Sequence, residues 1–256
     1  MNPPSQQTDA DQAAARNQAY YDGYAATGQG YWKYMAAPRL RRKRILSLVS
    51  ALSPASVCDF GCGDGALLHT IQKRRPDVRL CGVDLSPAQV EKNSTVHPEI
   101  AWVSADASLP GLARRLPFSP ELAISSEVIE HLTRPGDYLE NIREALRPQG
   151  ALILSTQSGR VGETERYVGH VRHYEGHEIA DLLRRAGFSR VRAWNEGWPF
   201  HDLSKRLANI RPDRAISAFD SANYGPAQLA VCYALRILFL FNLKTRGAQA
   251  FALAFK

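Results

Sequence analysis

A glycine-rich loop is the first feature of the sequence whose residue types could serve chemistry. It reads DFGCGDG at 59–65, between an apolar strand-like run and a helical stretch. In that setting glycines let the backbone approach a ligand closely. Gly61, Gly63 and Ala66 also satisfy the loose dinucleotide fingerprint, in which a pyrophosphate sits on the helix N-terminus. The glycines therefore predict a nucleotide-like cofactor but leave its class open.

Four carboxylates narrow that class. Asp59 and Asp64 would repel a pyrophosphate, but they suit a ligand that carries an ammonium group and a sulfonium. Asp84 is expected at the end of the second strand, where a carboxylate can accept hydrogen bonds from ribose hydroxyls. Asp106, expected at the end of the third strand, is placed to accept a hydrogen bond from the exocyclic amine of an adenine. The acids indicate a cationic nucleoside.

A Glu-x-x-Glu-His element follows the fourth predicted strand. On a helix, Glu127, Glu130 and His131 would share one face. Such a set suits Mg²⁺, Mn²⁺ or Zn²⁺, and it suits proton abstraction equally well. His170 and His173, in the later loop, could serve as further ligands or bases. A structural interpretation also stays open, in which the glutamates cap the helix and His131 packs beside the cofactor.

Short apolar runs and helical stretches must position these groups, and they alternate after Pro54. This rhythm predicts an α/β fold with a doubly wound, mostly parallel seven-stranded sheet of Rossmann-like type. The predicted strands are 56–60, 78–84, 100–106, 122–126, 151–157, 189–197 and 248–255, and the predicted helices are 66–75, 87–96, 127–132, 136–147 and 176–188. A polar loop is expected between the fifth strand and the last of these helices.

Four segments are predicted along the chain. A polar tail and N-terminal helical lid cover 1–53, with helices at about 10–26 and 36–52 joined by an aromatic, glycine-rich link. The cofactor-binding core covers 54–197. A helical insertion at 198–246 is expected to cap the substrate, with Trp198–Asp202 facing it, and 247–256 returns as the final strand.

The ordered motifs DFGCGDG, GVDLS, SADAS and SSEVIEHL span Val57 to Gln157. Over this stretch the chain resembles class I S-adenosylmethionine-dependent methyltransferases of the small-molecule O-methyltransferase type. The resemblance implies S-adenosylmethionine as cofactor. The cofactor contacts it implies are Asp59, Gly61, Gly63 and Gly65 at the methionine end, Asp84 and Leu85 at the ribose, Asp106 and Ala107 at the adenine, with Ser126 and Glu127 closing the site.

The Glu-x-x-Glu-His element itself resembles that of ubiquinone-biosynthesis O-methyltransferases and of small-RNA 3′-end 2′-O-methyltransferases, in which such a triplet binds a divalent metal. The ligands implied here are Glu127, Glu130, His131 and His170. The wider RNA-family pattern around the last histidine is not clearly present. The candidate catalytic residues are His131 first, then His173 and Glu130.

Charge and cysteine content limit the partners and the compartment. A net charge of +7 favours anionic partners without naming them, and no RNA-binding module is evident, so nucleic acid is not the expected partner. The four cysteines form no disulfide framework, which predicts reduced, mostly buried thiols. The N-terminus lacks the features of a secretory signal, and a cytoplasmic protein is therefore expected.

Two further segments, one basic and one apolar, each allow more than one interpretation. The run 39–44 contains five Arg and Lys residues, either on a solvated helix face or gripping phosphates. The apolar stretch 228–243, interrupted by Arg236, is too short to span a bilayer. It could be a buried cap helix, a homodimer face, or a surface for peripheral contact with a membrane or a lipidic substrate.

The predicted function is methyl transfer to an oxygen of a small-molecule, glycosidic, isoprenoid or lipid-linked acceptor. Transfer requires alignment of the acceptor and removal of its proton. One alternative is a metal-dependent RNA 2′-O-methyltransferase. Another is a regulatory protein that binds the cofactor without turnover, and a nicotinamide oxidoreductase ranks last.

Overall fold

The computed structural model describes Gly23, residues 30–219 and residues 221–256. The helix predicted at about 10–26 lies outside these residues except for Gly23. Tyr20, Tyr21 and Tyr24, within the segment predicted to be a helical lid, also lie outside the described residues.

One seven-stranded sheet forms the centre of the described chain, in the order β3-β2-β1-β4-β5-β7-β6. The strands are β1 (Ser56–Phe60), β2 (Arg79–Asp84), β3 (Ala101–Ser104), β4 (Leu122–Ser126), β5 (Ala151–Gln157), β6 (Ser189–Glu196) and β7 (Gln249–Phe255). The first five strands pair in parallel, whereas β7 runs antiparallel to both β5 and β6. The predicted mostly parallel, doubly wound fold is confirmed.

Helices follow most of the strands. Their bounds are Gly30–Tyr34, Ala36–Leu52, Ala66–Arg74, Pro87–Val96, Pro135–Ala145, Glu163–Tyr167, Gly176–Arg185, Phe200–Ala208, Pro212–Phe219 and Pro226–Phe239, with 3₁₀ turns at Leu112–Arg115 and Ile129–His131. Two hydrophobic clusters bury the two faces of the sheet, because successive strand residues alternate sides. Val57 belongs to the cluster under Ala36–Leu52, and Cys58 to the cluster under Pro135–Ala145.

The helix predicted at 127–132 is wrong. Glu127 has a left-handed backbone with φ of 59°, which no α-helix accommodates. Its N–H donates to the Ser155 carbonyl at 2.9 Å, so this residue ends the strand pairing. Helical structure is limited to the 3₁₀ turn Ile129–His131. Glu127 therefore does not share a helix face with the other two residues of its motif.

Three smaller boundaries also differ from the sequence prediction. The third strand ends at Ser104, two residues before Asp106. The loop expected after the fifth strand contains the short helix Glu163–Tyr167, and the aromatic link contains Gly30–Tyr34. All four cysteines are free and buried, as expected.

Three helices lie between β6 and β7. Pro226–Phe239 packs against Phe200–Ala208 and against the N-terminal helix Ala36–Leu52. Its inner side buries Cys232 and Phe239. Every helix in the described ranges is too short or too polar to cross a membrane. The segment boundaries drawn from the sequence remain a prediction.

Candidate active site

A cleft of about 240 Å³ lies where β1, β2 and β4 end. From β1 the chain adds β2 and β3 on one side and then returns to add β4 on the other side, and α/β sheets bind ligands at such a switch point. Its wall includes nine of the ten predicted cofactor residues, Asp59, Gly61, Gly63, Asp84, Leu85, Asp106, Ala107, Ser126 and Glu127, and it includes His131. Gly65 is not in the wall; it precedes the helix Ala66–Arg74 and faces Trp102.

Two glycines shape the loop over this cleft. Gly61 and Gly63 have φ of 78° and 51°, the left-handed region that glycine adopts without strain. A Cβ at Gly61 would overlap the Val128 side chain, whereas a Cβ at Gly63 would meet open space. The Gly63 N–H donates to Asp84 Oδ2 at 2.8 Å. Gly61 is thus required by packing, and Gly63 keeps the cleft clear.

Asp59 is a buried carboxylate in need of a positive partner. Its side chain is 3% exposed, and Oδ1 has no hydrogen-bond partner within the described chain. Burial, followed by the negative charges of Asp84 and Asp64, raises its pKa to about 7. A buried unpaired carboxylate is costly, and a cationic ligand would relieve that cost.

Asp84 and Asp106 each fix a turn at the edge of the cleft. Asp84 Oδ1 accepts from the Ser86 N–H at 3.0 Å, while Oδ2 accepts from Gly63. Asp106 Oδ1 accepts from the Ser108 N–H at 2.8 Å. Each carboxylate oxygen has more than one lone pair, so these backbone bonds leave acceptor capacity for a ligand.

Glu127 closes the opposite side through a buried ion pair. Its Oε2 lies 3.3 Å from Arg41 Nη1, and both side chains are buried. Its Oε1 accepts from Gln249 Nε2 at 2.9 Å. The helix Ala36–Leu52 and the start of β7 are thereby connected to the turn after β4.

Glu130 lies deeper and does not line the cleft. Its side chain is fully buried; Oε2 accepts from Thr156 Oγ1 at 2.7 Å, and Oε1 lacks a hydrogen-bond partner among the described residues. Burial, with the nearby Glu127 charge, raises the pKa of Glu130 well above its usual range. Its carbonyl accepts from the Val171 N–H at 2.9 Å, which anchors the histidine-bearing loop.

Three histidines form a row that begins at the wall of the cleft with His131. His131 Nδ1 lies 3.1 Å from the Gly169 carbonyl, and His173 Nδ1 lies 3.2 Å from the Gly159 carbonyl. Because a carbonyl only accepts, both rings carry their proton on Nδ1. His173 Nε2 then accepts from His170 Nδ1 at 2.9 Å. Burial lowers the pKa of His170 to about 2 and of His173 to about 4, and it also lowers that of His131. All three rings are neutral at physiological pH.

The row also brings together a possible metal-binding set. Donor atoms of Glu130, His131 and His170 lie within 4.8 Å of one another, and all three residues are buried. One carboxylate and two imidazoles suit zinc, manganese or iron. Glu127, which the sequence included, does not belong to this set.

A second cavity of about 320 Å³ lies beside the first. The helix Ala36–Leu52, the ends of the sheet and the insertion form its wall, and Arg41 lines both cavities. The lining residues on the insertion are His201, Phe239, Leu240, Asn242, Leu243 and Lys244. Burial lowers the pKa of His201 to about 3, so this imidazole is neutral as well.

Sequence reasoning missed Arg41 and Gln249 as parts of the site. Arg41 was read with the solvated basic run, yet it shares the buried helix face with Pro38, Ile45 and Val49. That spacing of three or four residues was the available signal. Gln249 offered none, because its role depends on how far the insertion carries the chain before β7.

Comparison with known proteins decides the family. A model of the methyltransferase domain matches residues 31–193, which is more than half of the chain. The chain belongs to the methyltransferase domain family. Its fold is that of class I S-adenosylmethionine-dependent methyltransferases, and S-adenosylmethionine is the cofactor, so the dinucleotide alternative left open by the glycine loop is set aside.

Two curated relatives carry O-methyltransferase names. Malonyl-(acyl-carrier protein) O-methyltransferase of Hahella chejuensis is 28% identical over 58% of this chain. The match spans only about half, 53%, of the length of that relative. Ubiquinone biosynthesis O-methyltransferase of Xanthomonas euvesicatoria is 27% identical, over 81% of this chain and 92% of the relative.

Two solved structures share the fold. The N-methyltransferase NodS from Bradyrhizobium japonicum, in complex with S-adenosylhomocysteine, has a TM-score of 0.54 at 19% identity, over 70% of this methyltransferase and 90% of that chain. A methyltransferase from Archaeoglobus fulgidus has a TM-score of 0.56 at 17% identity, over 88% of this chain and 97% of that chain. At these identities the likeness concerns the fold alone.

Proposed function

We propose that this methyltransferase transfers a methyl group to an oxygen atom of a small-molecule acceptor. The observation that carries the proposal is that His131, with its proton on Nδ1, lines the same cleft as Asp59, Asp84 and Asp106. S-adenosylmethionine, when bound, supplies the electrophilic methyl group. Hydroxyl acceptors, unlike carboxylates, must lose a proton during transfer, and a neutral imidazole can serve as the neighbouring base.

The cleft fits that cofactor. Asp59 Oδ1 is a buried oxygen without a partner, and Asp84 and Asp64 add negative charge around it. This environment suits the cationic methionine end. We assign Asp84 and Leu85, at the end of β2, to the ribose, and Asp106 and Ala107, after β3, to the adenine, because all four line the same wall.

His131 is the proposed base. Its Nδ1–H donates to the Gly169 carbonyl, so the lone pair is on Nε2. His170 packs edge-on against this ring, with 4.7 Å between the ring centroids. His173 holds His170 by a hydrogen bond, and Glu130 holds the loop through its carbonyl. We therefore assign positioning roles to His173 and Glu130, since neither lines the cleft.

The second cavity supports an acceptor with an apolar part. Its wall combines Phe239, Leu240 and Leu243 with Arg41, which also lines the cofactor cleft. An isoprenoid or lipid-linked hydroxyl compound matches this lining. The relatives named for ubiquinone biosynthesis and for malonyl-(acyl-carrier protein) both carry the O-methyltransferase name, which supports oxygen as the acceptor atom.

Formation of S-adenosylhomocysteine from a panel of acceptors tests this proposal. The panel contains prenylated phenols, short phenols, carboxylic acids and short RNA, with mass spectrometry of the product. We expect turnover with prenylated phenols and its loss in His131→Ala. Methylation of RNA alone would support the 2′-O-methyltransferase alternative. Cofactor binding by calorimetry without turnover on any acceptor would support the regulatory alternative.

The set of Glu130, His131 and His170 supports a second proposal, that a divalent cation is bound there. Its basis is the mutual distance of the three donor atoms and the unpartnered Glu130 Oε1. Such an ion would supply Lewis acidity beside the cleft. Metal analysis of the purified protein tests it directly. A stoichiometric metal content, lost in His170→Ala, would assign His131 as a ligand; a metal-free protein with full activity in chelator would assign it as the base.

A further inference from the structure

The insertion exposes an unusual amount of apolar side chain. On the helix Pro226–Phe239 and the residues after it, an outward row repeats every three or four positions and contains only apolar residues: Ala227, Ala230, Val231, Ala234, Ile237, Leu238 and Phe241. Ile237 and Phe241 are 61% and 68% exposed. We call this row the outer stripe. Surface helices normally present polar residues at such positions.

The fold does not depend on the outer stripe. The opposite side of the same helix holds it in place, through Cys232 and Phe239. Cys232 Sγ lies 3.5 Å from Met35 Sδ, and the Phe239 ring lies 5.3 Å from that of His201. Arg236 Nη2 donates to the Tyr34 carbonyl at 2.7 Å. The apolar character of the outward side therefore needs another explanation than packing.

A neighbouring helix shows the same property. On Phe200–Ala208 and the turn that follows, Leu203, Leu207 and Ile210 are spaced by four and three residues. Leu207 and Ile210 are 57% and 69% exposed. The two helices contact each other, so the insertion presents apolar residues from two adjacent elements.

The charges of the insertion point to the nature of its partner. Between 198 and 246 the sequence has seven Lys and Arg residues against three Asp residues. Of the described residues in this segment, the exposed cations are Arg206, Arg211, Arg214, Lys244 and Arg246, and the exposed anion is Asp213. An apolar face on a segment with a surplus of exposed cations matches the surface of an anionic bilayer, where apolar side chains enter the headgroup boundary and cations meet lipid phosphates.

We propose that the insertion docks this methyltransferase on anionic lipid bilayers, with the outer stripe in the headgroup boundary. A second copy of the chain fits less well. A twofold interface would bring two copies of this cation-rich segment together, and the like charges would weaken their association. The docking also has a geometric consequence: Leu240 and Leu243, on either side of the last stripe residue Phe241, line the second cavity. A bilayer-dissolved molecule would meet the protein next to that cavity.

Vesicle co-sedimentation of the full chain tests the docking. The vesicles contain three parts phosphatidylcholine to one part phosphatidylglycerol, or phosphatidylcholine alone. We expect binding to the anionic vesicles, weakened by high salt, and at least about tenfold weaker binding for the double variant Ile237→Ser, Phe241→Ser. The matched control is Val96→Ser, which removes a residue of 60% exposure outside the insertion and should leave vesicle binding unchanged.

Unchanged cofactor affinity and circular dichroism show that the double variant is folded. The proposal fails if the wild-type protein remains in the supernatant with both kinds of vesicle, or if folded double variant and wild type sediment equally. A third outcome also contradicts the proposal: neither protein binds vesicles, and sedimentation velocity shows that the wild type is a dimer whereas the double variant is a monomer. The outer stripe would then be a contact between two copies of the chain.

Discussion

Arg41 Nη1 and Glu127 Oε2 lie 3.3 Å apart, and their side chains are only 5% and 8% exposed. This ion pair joins the N-terminal helix to a turn whose backbone is left-handed at Glu127. Non-glycine residues adopt that conformation at a cost that the surroundings must offset. The arginine, together with Gln249, supplies partners for both Glu127 oxygens. The wall of the cleft is therefore assembled from segments far apart in sequence.

Replacing Arg41 with methionine leaves the Glu127 carboxylate buried without its cation. We expect the free energy of unfolding to fall by about 3–5 kcal/mol, the usual result of removing one partner of a buried pair. Urea denaturation followed by circular dichroism measures this. Lys43→Met, on the exposed side of the same helix, is the control, and equal midpoints for the two variants would contradict the role given to Arg41.

Asp59 makes the stability of the free protein depend on pH. Its folded-state pKa is raised to about 7 from an ordinary 3.8. Between these values the folded protein holds a proton that the unfolded chain has lost, so the unfolding free energy falls as pH rises, by about 1.4 kcal/mol per unit. Asp59→Asn should lack this slope and be the more stable protein above pH 7. A wild-type slope in the variant, measured by denaturation at several pH values, would refute the assignment.

The same group links cofactor binding to proton release. A cation beside Asp59 favours the charged carboxylate and lowers its pKa. At pH 6 we expect binding of S-adenosylmethionine to release up to one proton, and the affinity should rise from pH 5 to pH 7. Calorimetry in buffers of different ionisation enthalpy measures the release. Asp181→Asn, an exposed carboxylate of the helix Gly176–Arg185, should release as many protons as wild type, whereas Asp59→Asn should release none.

His131→Ala should lower kcat by about 10²–10⁴ while cofactor affinity stays near wild type, since a base acts on the acceptor. The pKa of His131 is lowered by burial, so wild-type activity should persist as pH falls to the ordinary histidine range and be lost only below it. Steady-state kinetics across pH provides the measurement. His177→Ala, an exposed ring near the same loop, serves as control, and comparable kcat in both variants would remove His131 from the mechanism.

Asp84→Asn tests the ribose assignment. The amide retains one acceptor oxygen for a backbone N–H, but the charged acceptor for the ligand is lost. Hydrogen bonds to charged groups contribute about 1.5–3 kcal/mol, so cofactor affinity should fall roughly 10- to 100-fold in titration calorimetry. The free protein should keep its fold by circular dichroism. An affinity within twofold of wild type would place the ribose elsewhere.

Most of the sheet and the cofactor loop could be predicted from the sequence. Strands such as Leu122–Ser126 begin with continuous apolar residues and are largely buried. The glycine loop directly follows another buried strand, so local pattern and tertiary role agree. That Asp59, Asp84 and Asp106 line one cleft could also be expected, because strand ends share one edge of a parallel sheet.

The rest depended on contacts that no local pattern encodes. Glu127 looked helical, yet its carboxylate and its backbone N–H are held by Arg41 and Ser155 in a left-handed turn. The order in which the histidines meet depends on the Gly159 and Gly169 carbonyls, whose positions follow from loop geometry. Tertiary partners thus override propensity where the site is built.

Backbone hydrogen bonds join the two ends of the insertion, where the chain leaves β6 and returns to β7. The N–H groups of Gly197 and Trp198 donate to the carbonyls of Leu243 and Arg246, at 3.0 and 3.1 Å. The chain therefore leaves the sheet and returns to it through one closed neck, immediately before Gln249 reaches Glu127. If the insertion binds the acceptor, as proposed, the segment beyond that neck can be exchanged as a unit. We then expect a segment of different length or chemistry, joined at the same two positions, to change the acceptor without changing the affinity for S-adenosylmethionine.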